Sequence, residues 1–246
     1  MSWERAAELA FQGRFEAALA HTRRAATSPE VRWITAYVDA ARGDFRRAER
    51  SLERLVSEAE ASPDTRARAA ATLGSVLRQS ARHAEAQTIE RRAAKTAPTP
   101  ELRAHLLIGL AADAVGLGDL AAVDAAVKGI GPRPAGGWRS AVRLRWVRCE
   151  RELLANRPLA AAGHARRALA ISERAGARRH RAKSLLFLGA SLADAAARDP
   201  SHRFAAAWRR ESEGALRRAR ARSLSIGARP IARIAGQLLG RSPGRR

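Results

Sequence analysis

The chain has 246 residues, of which 46% are hydrophobic and 28% are charged, so it is long enough for a packed core and is not a disordered protein. A single cysteine excludes an intramolecular disulfide and a cysteine-rich metal site. The formal net charge is +22, and it is uneven: residues 1–60 hold 10 basic and 10 acidic side chains, whereas residues 201–246 hold 12 and 2. Alanine, arginine and leucine are abundant, and these residues favour an all-α fold.

The N-terminal segment reads MSWERAAELA, with acidic residues and no apolar run, so we expect no secretory signal peptide. The longest apolar runs are shorter than the roughly 18 residues that a membrane-spanning helix needs. We therefore expect a cytoplasmic protein that does not contact a membrane.

Three helix starts follow one pattern along the first half of the chain. The segments SPE (28–30), SPD (62–64) and TPE (99–101) each place a hydroxyl at the N-cap, proline at the first helical position and an acid just after it. The hydroxyl accepts a free backbone N–H, and the acid faces the positive end of the helix dipole. The pattern predicts a helix beginning at each site.

Short turns lie between and beyond these starts. They are found in GRFEAALAHTRRA (13–25), GDFRRAERSLERL (43–55), ARHAEAQTIERRA (81–93), GDLAAVDAAVKGI (118–130) and RPLAAAGHARRAL (157–169). Asp44 and Asp119 are predicted N-caps, and the glycine before each can end the preceding helix in the left-handed conformation. Each period is thus predicted to be a helix, a turn and a helix, which must stack on its neighbours to bury its apolar stripes.

A period near 34 residues with this order of elements resembles the tetratricopeptide repeat family. The third unit matches that family at Leu73, Gly74, Leu77, Ala86, Ala93 and Pro98, and the sixth at Leu188, Gly189 and Leu192. The resemblance implies an all-α fold, a right-handed α-solenoid of about six helix-turn-helix repeats over residues 1–226. In that family the first helix of each pair lines a concave groove that binds peptides or partner helices.

The C-terminal segment is predicted to differ from the repeats. Apolar residues between Pro230 and Gly240 mark one face of a short helix, which we place at residues 227–240. It is either a cap over the last repeat or a surface-binding amphipathic helix. The glycine- and proline-rich segment 129–137 is either a hinge or a long inter-repeat loop, and residues 241–246 are predicted to be a disordered basic tail.

No stretch of the sequence carries a catalytic, metal-binding or cofactor-binding motif. GLGDLA (116–121) follows a predicted helix and not a strand, so it is interpreted as a repeat turn. The six histidines are scattered without ligand spacing, and Cys149 is predicted to be a small buried residue of a helix. We expect a protein that is not an enzyme and that has no cofactor.

Placing the repeats in register predicts which side chains face the concave groove. Tryptophan and tyrosine beside arginine are frequent in binding sites. The alternative for each tryptophan is packing between neighbouring hairpins. The lysine and asparagine residues with which some members of the family clamp a terminal carboxylate are missing. The predicted groove residues are Trp33, Tyr37, Arg68, Ser75, Arg78, Arg143, Trp146 and Glu150.

These features predict a non-catalytic adaptor or scaffold that binds a protein or peptide in the groove, with an acidic ligand favoured by charge complementarity. The alternative is a nucleic-acid-associated or regulatory protein that uses the arginine-rich C-terminal half, where the segments RRH (178–180), WRR (208–210) and LRRARAR (216–222) lie. A solvated arginine face in a protein from a GC-rich genome would give the same sequence. We expect weak, non-specific nucleic-acid binding in either case.

Overall fold

A computed structural model describes residues 3–23 and 28–240, which form helices and the turns between them, with no strand. The predicted disordered tail, residues 241–246, lies outside the described residues. None of the helices in the two described ranges is long and apolar enough to cross a bilayer. In chain order the helices are α1 (Trp3–Phe11), α2 (Phe15–Thr22), α3 (Pro29–Arg42), α4 (Phe45–Ser57), α5 (Pro63–Gln79), α6 (His83–Lys95), α7 (Pro100–Gly116), α8 (Leu120–Ile130), α9 (Gly137–Leu154), α10 (Pro158–Arg174), α11 (Arg178–Arg198), α12 (Ala205–Ser225) and α13 (Arg229–Gly240).

The three predicted helix starts are confirmed. Helices α3, α5 and α7 each begin with proline, and the preceding hydroxyl accepts a backbone N–H three residues further on. The donor-to-acceptor distances at Ser28, Ser62 and Thr99 are 3.3, 3.1 and 3.2 Å. Local capping therefore fixes where the first helix of three successive hairpins begins.

The predicted turns are also confirmed, since each lies between two helices. Gly43 and Gly118 adopt the left-handed conformation, with φ of 95° and 75°. The carboxylate of Asp119 accepts the N–H of Ala122 at 2.9 Å and caps α8. The predicted cap at Asp44 is wrong in this respect, because its side chain does not cap α4. That carboxylate instead accepts a hydrogen bond from Arg229, on α13, at 3.0 Å.

Consecutive helices pack as hairpins, and the first helix of each hairpin also packs on the first helix of the next. The contacts run from α1 to α3, then through α5, α7 and α9 to α11. Alanines with no exposed surface, including Ala10, Ala18, Ala48 and Ala165, lie at these contacts and let the helix backbones approach closely. The structure confirms an all-helical fold with sequential packing of neighbours. The tetratricopeptide assignment, the handedness and the number of repeats stay predictions.

The row of hairpins curves until its two ends meet. The N–H of Arg178 donates to the carbonyl of Gln12 at 2.9 Å, which joins the α1–α2 turn to the start of α11. A Cβ on Gly13 would lie 3.1 Å from the backbone nitrogen of Arg179 and 3.3 Å from Ile226. Because Gly13 also has a φ of 79°, glycine is required at this junction.

Helix α13 forms the second junction. Its apolar residues Ile231, Ala232 and Ala235 are buried, and it packs against α11 and α12 as a cap would. It also contacts α3, where the guanidinium of Arg229 donates to the carbonyl of Arg42 at 2.8 Å. The predicted cap therefore contacts both ends of the row.

The segment predicted as a hinge or a loop connects α8 to α9. It is a loop over residues 131–136, and Gly131, Gly136 and Gly137 have positive φ angles. Glycine permits these conformations without strain. The hinge itself stays a prediction.

Candidate ligand-binding cavity

Closing the row turns its concave face into a central cavity of about 450 Å³. Side chains from α3, α5, α7, α9, α11 and α13 line it. A cavity of this volume falls in the range of small-molecule and cofactor sites, roughly 300–1,000 Å³. All eight of the predicted groove residues lie on its wall: Trp33, Tyr37, Arg68, Ser75, Arg78, Arg143, Trp146 and Glu150.

Trp33 belongs to the helix packing as well as to the cavity wall. Its side chain is only 2% exposed, and its indole N–H donates to the hydroxyl of Thr72, on α5, at 3.0 Å. The ring meets Trp3 edge-on, with centroids 6.2 Å apart. Most of the Trp33 side chain is therefore packed between helices, which was the alternative to an exposed groove position. Its remaining edge contributes to the cavity wall.

Trp146 has the same double position on α9. It is 6% exposed, and its indole N–H donates to the hydroxyl of Ser184, on α11, at 3.0 Å. The ring stacks on His180 with a centroid distance of 5.3 Å. The Nζ atom of Lys183 lies 4.6 Å from the ring centroid, where the aromatic face attracts a cation. Trp146 therefore fixes the position of two polar groups at the cavity.

Arg78, on the cavity wall, forms a paired cluster of charges with Glu90 and Asp113, which lie behind it. The guanidinium of Arg78 donates to Glu90 at 2.8 and 3.1 Å and to Asp113 at 3.0 Å. Glu90 and Asp113 are buried. A Cβ on Gly74 or Gly109 would lie 2.3 or 2.2 Å from a carboxylate oxygen of Glu90, so glycine at both positions makes room for it. These contacts join α5, α6 and α7.

The pKa values within the paired cluster follow from burial opposed by ion pairing. Burial opposes the charge on Arg78, but the two carboxylates outweigh it and raise its pKa. Burial raises the pKa of Glu90 to about 7 and also raises that of Asp113, although Arg78 opposes both shifts. The guanidinium is therefore the charge that opposes the neutralisation of two buried carboxylates.

A second set of charges lies on α9 and α11 and has no such partners. We call Arg139, Arg143, Arg179 and Lys183 the unpaired cation cluster, because none of them forms an ion pair with a carboxylate of the described residues. In the described part of the chain the Nε atoms of Arg139 and Arg179 are buried without a hydrogen-bond partner. The Cζ atom of Arg139 lies 3.2 Å from the ring centroid of Phe11.

The neighbours of the unpaired cation cluster are mostly neutral. Arg143 donates to Nδ1 of His105 at 2.8 Å, so this nitrogen accepts and Nε2 faces the hydroxyl of Ser140 at 3.3 Å. Burial lowers the pKa of His105 to about 3, and burial also lowers that of His180, so both rings are neutral at pH 7. Glu150 is the one carboxylate on the cavity wall in the described ranges.

Burial and the charges of neighbouring arginines lower the pKa values of three residues of the unpaired cation cluster, Arg139, Arg143 and Lys183. Burial, followed by the charges of nearby arginines, lowers the pKa of Arg143 to about 10. Burial lowers the pKa of Arg139 to about 10 and that of Lys183 to about 8, while Glu150 opposes the shift at Lys183. All three remain mainly charged at pH 7, and the cluster therefore faces the cavity with excess positive charge.

Sequence reasoning missed three of the four residues of this cluster, although signals for them were present. Arg139 precedes the predicted Arg143 by one helical turn, which places both on one face of α9. Arg179 belongs to the segment RRH that was interpreted as a source of charge for nucleic acids, and the structure places it on the cavity. Lys183 follows Arg179 at the same spacing. Placing α11 in register with α9 would have placed Arg179 and Lys183 on the same face as Arg143.

Other chemistry is sparse in the parts of the chain that the structure describes. No group of three or more histidine, cysteine, aspartate or glutamate side chains there could hold a metal ion. Cys149 is buried, as predicted, and burial raises the pKa of its thiol to about 12. A protonated, buried thiol is a poor nucleophile. The arrangement at the cavity is suited to holding an anion.

Comparison with known proteins adds no identification. No protein-family model matches the chain, and no curated protein matches it. Function is therefore inferred from the geometry and charge of the central cavity.

Proposed function

We propose that this protein is a non-catalytic binding protein that holds an acidic ligand inside its central cavity. The observation that supports this most strongly is the unpaired cation cluster, which combines Arg139, Arg143, Arg179 and Lys183 with a single opposing carboxylate, Glu150. Buried charges are normally paired because desolvation is costly. A bound anion supplies the counter-charge that these side chains lack.

The cavity size limits what the ligand can be. One turn of an α-helix with side chains, about 10 Å wide and 5.4 Å long, occupies about 400 Å³. The cavity of about 450 Å³ therefore takes a short acidic segment or a small molecule, but not a folded domain. The predicted adaptor function is consistent with this limit only if the partner inserts a short segment or the two junctions open.

The proposal is tested with wild-type protein, Arg143→Gln and Lys183→Met. Intrinsic tryptophan fluorescence is the readout, because Trp146 lies beside Lys183. Glutamate hexapeptide and small carboxylates and phosphates are titrated at constant ionic strength. Saturable quenching that both variants weaken is the expected result.

Arg92→Gln is the matched control, since Arg92 is exposed on α6 and does not line the cavity. Binding that is unchanged in Arg143→Gln and Lys183→Met would contradict the proposal. So would an equal loss of binding in Arg92→Gln, because that would indicate charge attraction at the outer surface.

A second candidate function follows from the outer surface of α12. Arg210, Arg217, Arg218 and Arg220 are exposed there, and of these only Arg217 forms an ion pair, with Glu213. Such a surface attracts phosphates without recognising sequence. Duplex DNA should then bind weakly, and the log–log salt slope should be about −0.9 per contacted phosphate. Sequence-preferring, nanomolar binding at physiological salt would instead make nucleic-acid recognition the main function.

A further inference from the structure

We infer that the ligand of the central cavity is a small organic phosphate, a phosphate group attached to an apolar or aromatic body. This inference rests on the proposed function and names the chemical class of its ligand. It depends on how many donors converge, how charge is balanced, and how polar and apolar residues are distributed along α9 and α11.

The donors of the unpaired cation cluster outnumber what a carboxylate can use. Arg139 and Arg143 are one turn apart on α9, and Arg179 and Lys183 are one turn apart on the adjacent helix α11. A single arginine fork already satisfies the two oxygens of a carboxylate. A phosphate monoester offers three terminal oxygens and accepts from several forks at once.

The charge balance favours the same group. Four cations and the carboxylate of Glu150 leave an excess of three positive charges on this part of the wall. A phosphate monoester carries about −1.5 to −2 at pH 7, whereas a carboxylate carries −1. Arg139 and Arg179 also lie in the first turn of their helices, where the positive helix dipole adds to the local field.

The remainder of the ligand is expected to be apolar. Along α9 the cationic residues are followed by Val147 and Leu153, and along α11 by Leu186 and Phe187, all of which line the cavity. Helix α13 contributes further aliphatic side chains to the wall. A ligand with a phosphate at one end and a flat apolar body at the other matches this gradient.

Three probes that share one aromatic ring separate the contributions of the phosphate group, of a negative charge and of the ring to binding. They are phenyl phosphate, benzoate and phenol. Their binding to the full chain is measured by thermal denaturation and by isothermal titration calorimetry at pH 7 and constant ionic strength, and inorganic phosphate provides a fourth arm. Phenyl phosphate should bind about tenfold or more tightly than benzoate, and phenol should not bind measurably. Inorganic phosphate should bind more weakly than phenyl phosphate because it lacks the ring.

Variants assign the binding to the cavity. Arg143→Gln and Lys183→Met should each lower the affinity for phenyl phosphate by about tenfold, while Arg92→Gln should not change it. Circular dichroism of each variant verifies that it is folded. If Lys183→Met fails to fold, Lys183→Gln takes its place.

Three results would overturn the inference in whole or in part, and they differ in what they say of the proposed function. Benzoate or glutamate hexapeptide binding as tightly as phenyl phosphate, with loss in both variants, would refute the phosphate but keep an acidic ligand in the cavity. No binding of any anion above that seen with Arg143→Gln would refute both. An equal response to phenyl phosphate and inorganic phosphate would show that the apolar wall takes no part.

Discussion

Partly buried cations at two places on the same cavity wall have opposite relations to the fold. Arg78 joins α5, α6 and α7 by binding two buried carboxylates, Glu90 and Asp113. The unpaired cation cluster on α9 and α11 has the same residue types and similar shielding from bulk water, but it has no ion pairs among the described residues. Arg78 is therefore part of the packing, whereas the charges of the unpaired cation cluster repel one another.

Ion pairing separates the arginines that stabilise the fold from those available to a ligand in a chain rich in arginine. Composition alone does not distinguish a structural arginine from a ligand-binding one, because arginines are numerous and spread along the sequence. Pairing distinguishes them: a buried charge with its counter-ion supports the fold, whereas one without a counter-ion indicates a missing partner. The predictions below test whether the two clusters respond in opposite directions.

The largest effect is expected for Arg78→Met. Removing the guanidinium leaves Glu90 and Asp113 buried without a cation, which should lower the free energy of unfolding by about 3–5 kcal/mol. Urea denaturation followed by circular dichroism measures this. The control is Arg82→Gln, which removes a surface guanidinium that pairs with Glu49 and Glu85 and should have a much smaller effect. Equal losses in the two variants would show that the paired cluster does not stabilise the fold.

The next effect is expected for Gly74→Ala. The added methyl group would lie 2.3 Å from a carboxylate oxygen of Glu90 and must displace it from Arg78. We expect a loss of about 1–3 kcal/mol in the free energy of unfolding, measured by urea denaturation. In the control, Gly163→Ala on α10, the new methyl group meets no atom within 4 Å. That control should be neutral or slightly stabilising, and a neutral Gly74→Ala would contradict the close packing of Glu90.

Local rules predicted most of the helical fold. Hydroxyl–proline–acid segments such as SPE at 28–30 place helix starts correctly because capping depends on neighbouring residues only. Gly43 ends its helix in the left-handed conformation for the same local reason. The closure of the row could not be predicted, because Arg178 with Gln12 and Arg229 with Asp44 are pairs that are distant in sequence and without a motif.

The sequence predicted which residues share the concave face, but it did not predict the contacts that these residues make. Register placed Trp33, Arg78 and Trp146 on one concave face, and the structure brings them to one cavity. Aligning the repeats could not show that Arg78 forms an ion pair with Glu90, because that contact depends on the space that Gly74 leaves. It also could not show that both tryptophans are largely buried, since burial depends on the angles between helices.

Lys183→Met should change stability in the direction opposite to Arg78→Met. It removes a cation whose pKa burial lowers, and methionine keeps an apolar contact with Trp146 and Phe187. Without ligand, the free energy of unfolding should rise by about 1 kcal/mol at pH 7. Urea denaturation of Lys183→Met and Arg92→Gln beside the wild type measures it. A clear loss of stability in Lys183→Met would mean that its attraction to the aromatic rings exceeds the cost of burial.

The smallest effect is expected in the pH dependence of this gain. Lys183 has a folded-state pKa of about 8 against 10.5 for an ordinary lysine. Between these values the unfolded state binds more protons, so the penalty of the buried charge is complete below pH 8 and is relieved as the pH rises towards 10.5. The stability gap between Lys183→Met and the wild type should therefore narrow by roughly 0.5–1 kcal/mol from pH 7.5 to 8.5. Cys149, whose thiol has a raised pKa, opposes this trend in both proteins, and taking the difference removes its contribution. The facing groups Glu150, Arg179, Arg143, Arg78 and His180 are present in both proteins, and of these Glu150 loses in Lys183→Met the nearby cation that lowers its pKa. Urea denaturation at four pH values in that range measures the gap, and a gap that stays constant would show that Lys183 keeps an ordinary pKa in water and is not part of a buried anion site.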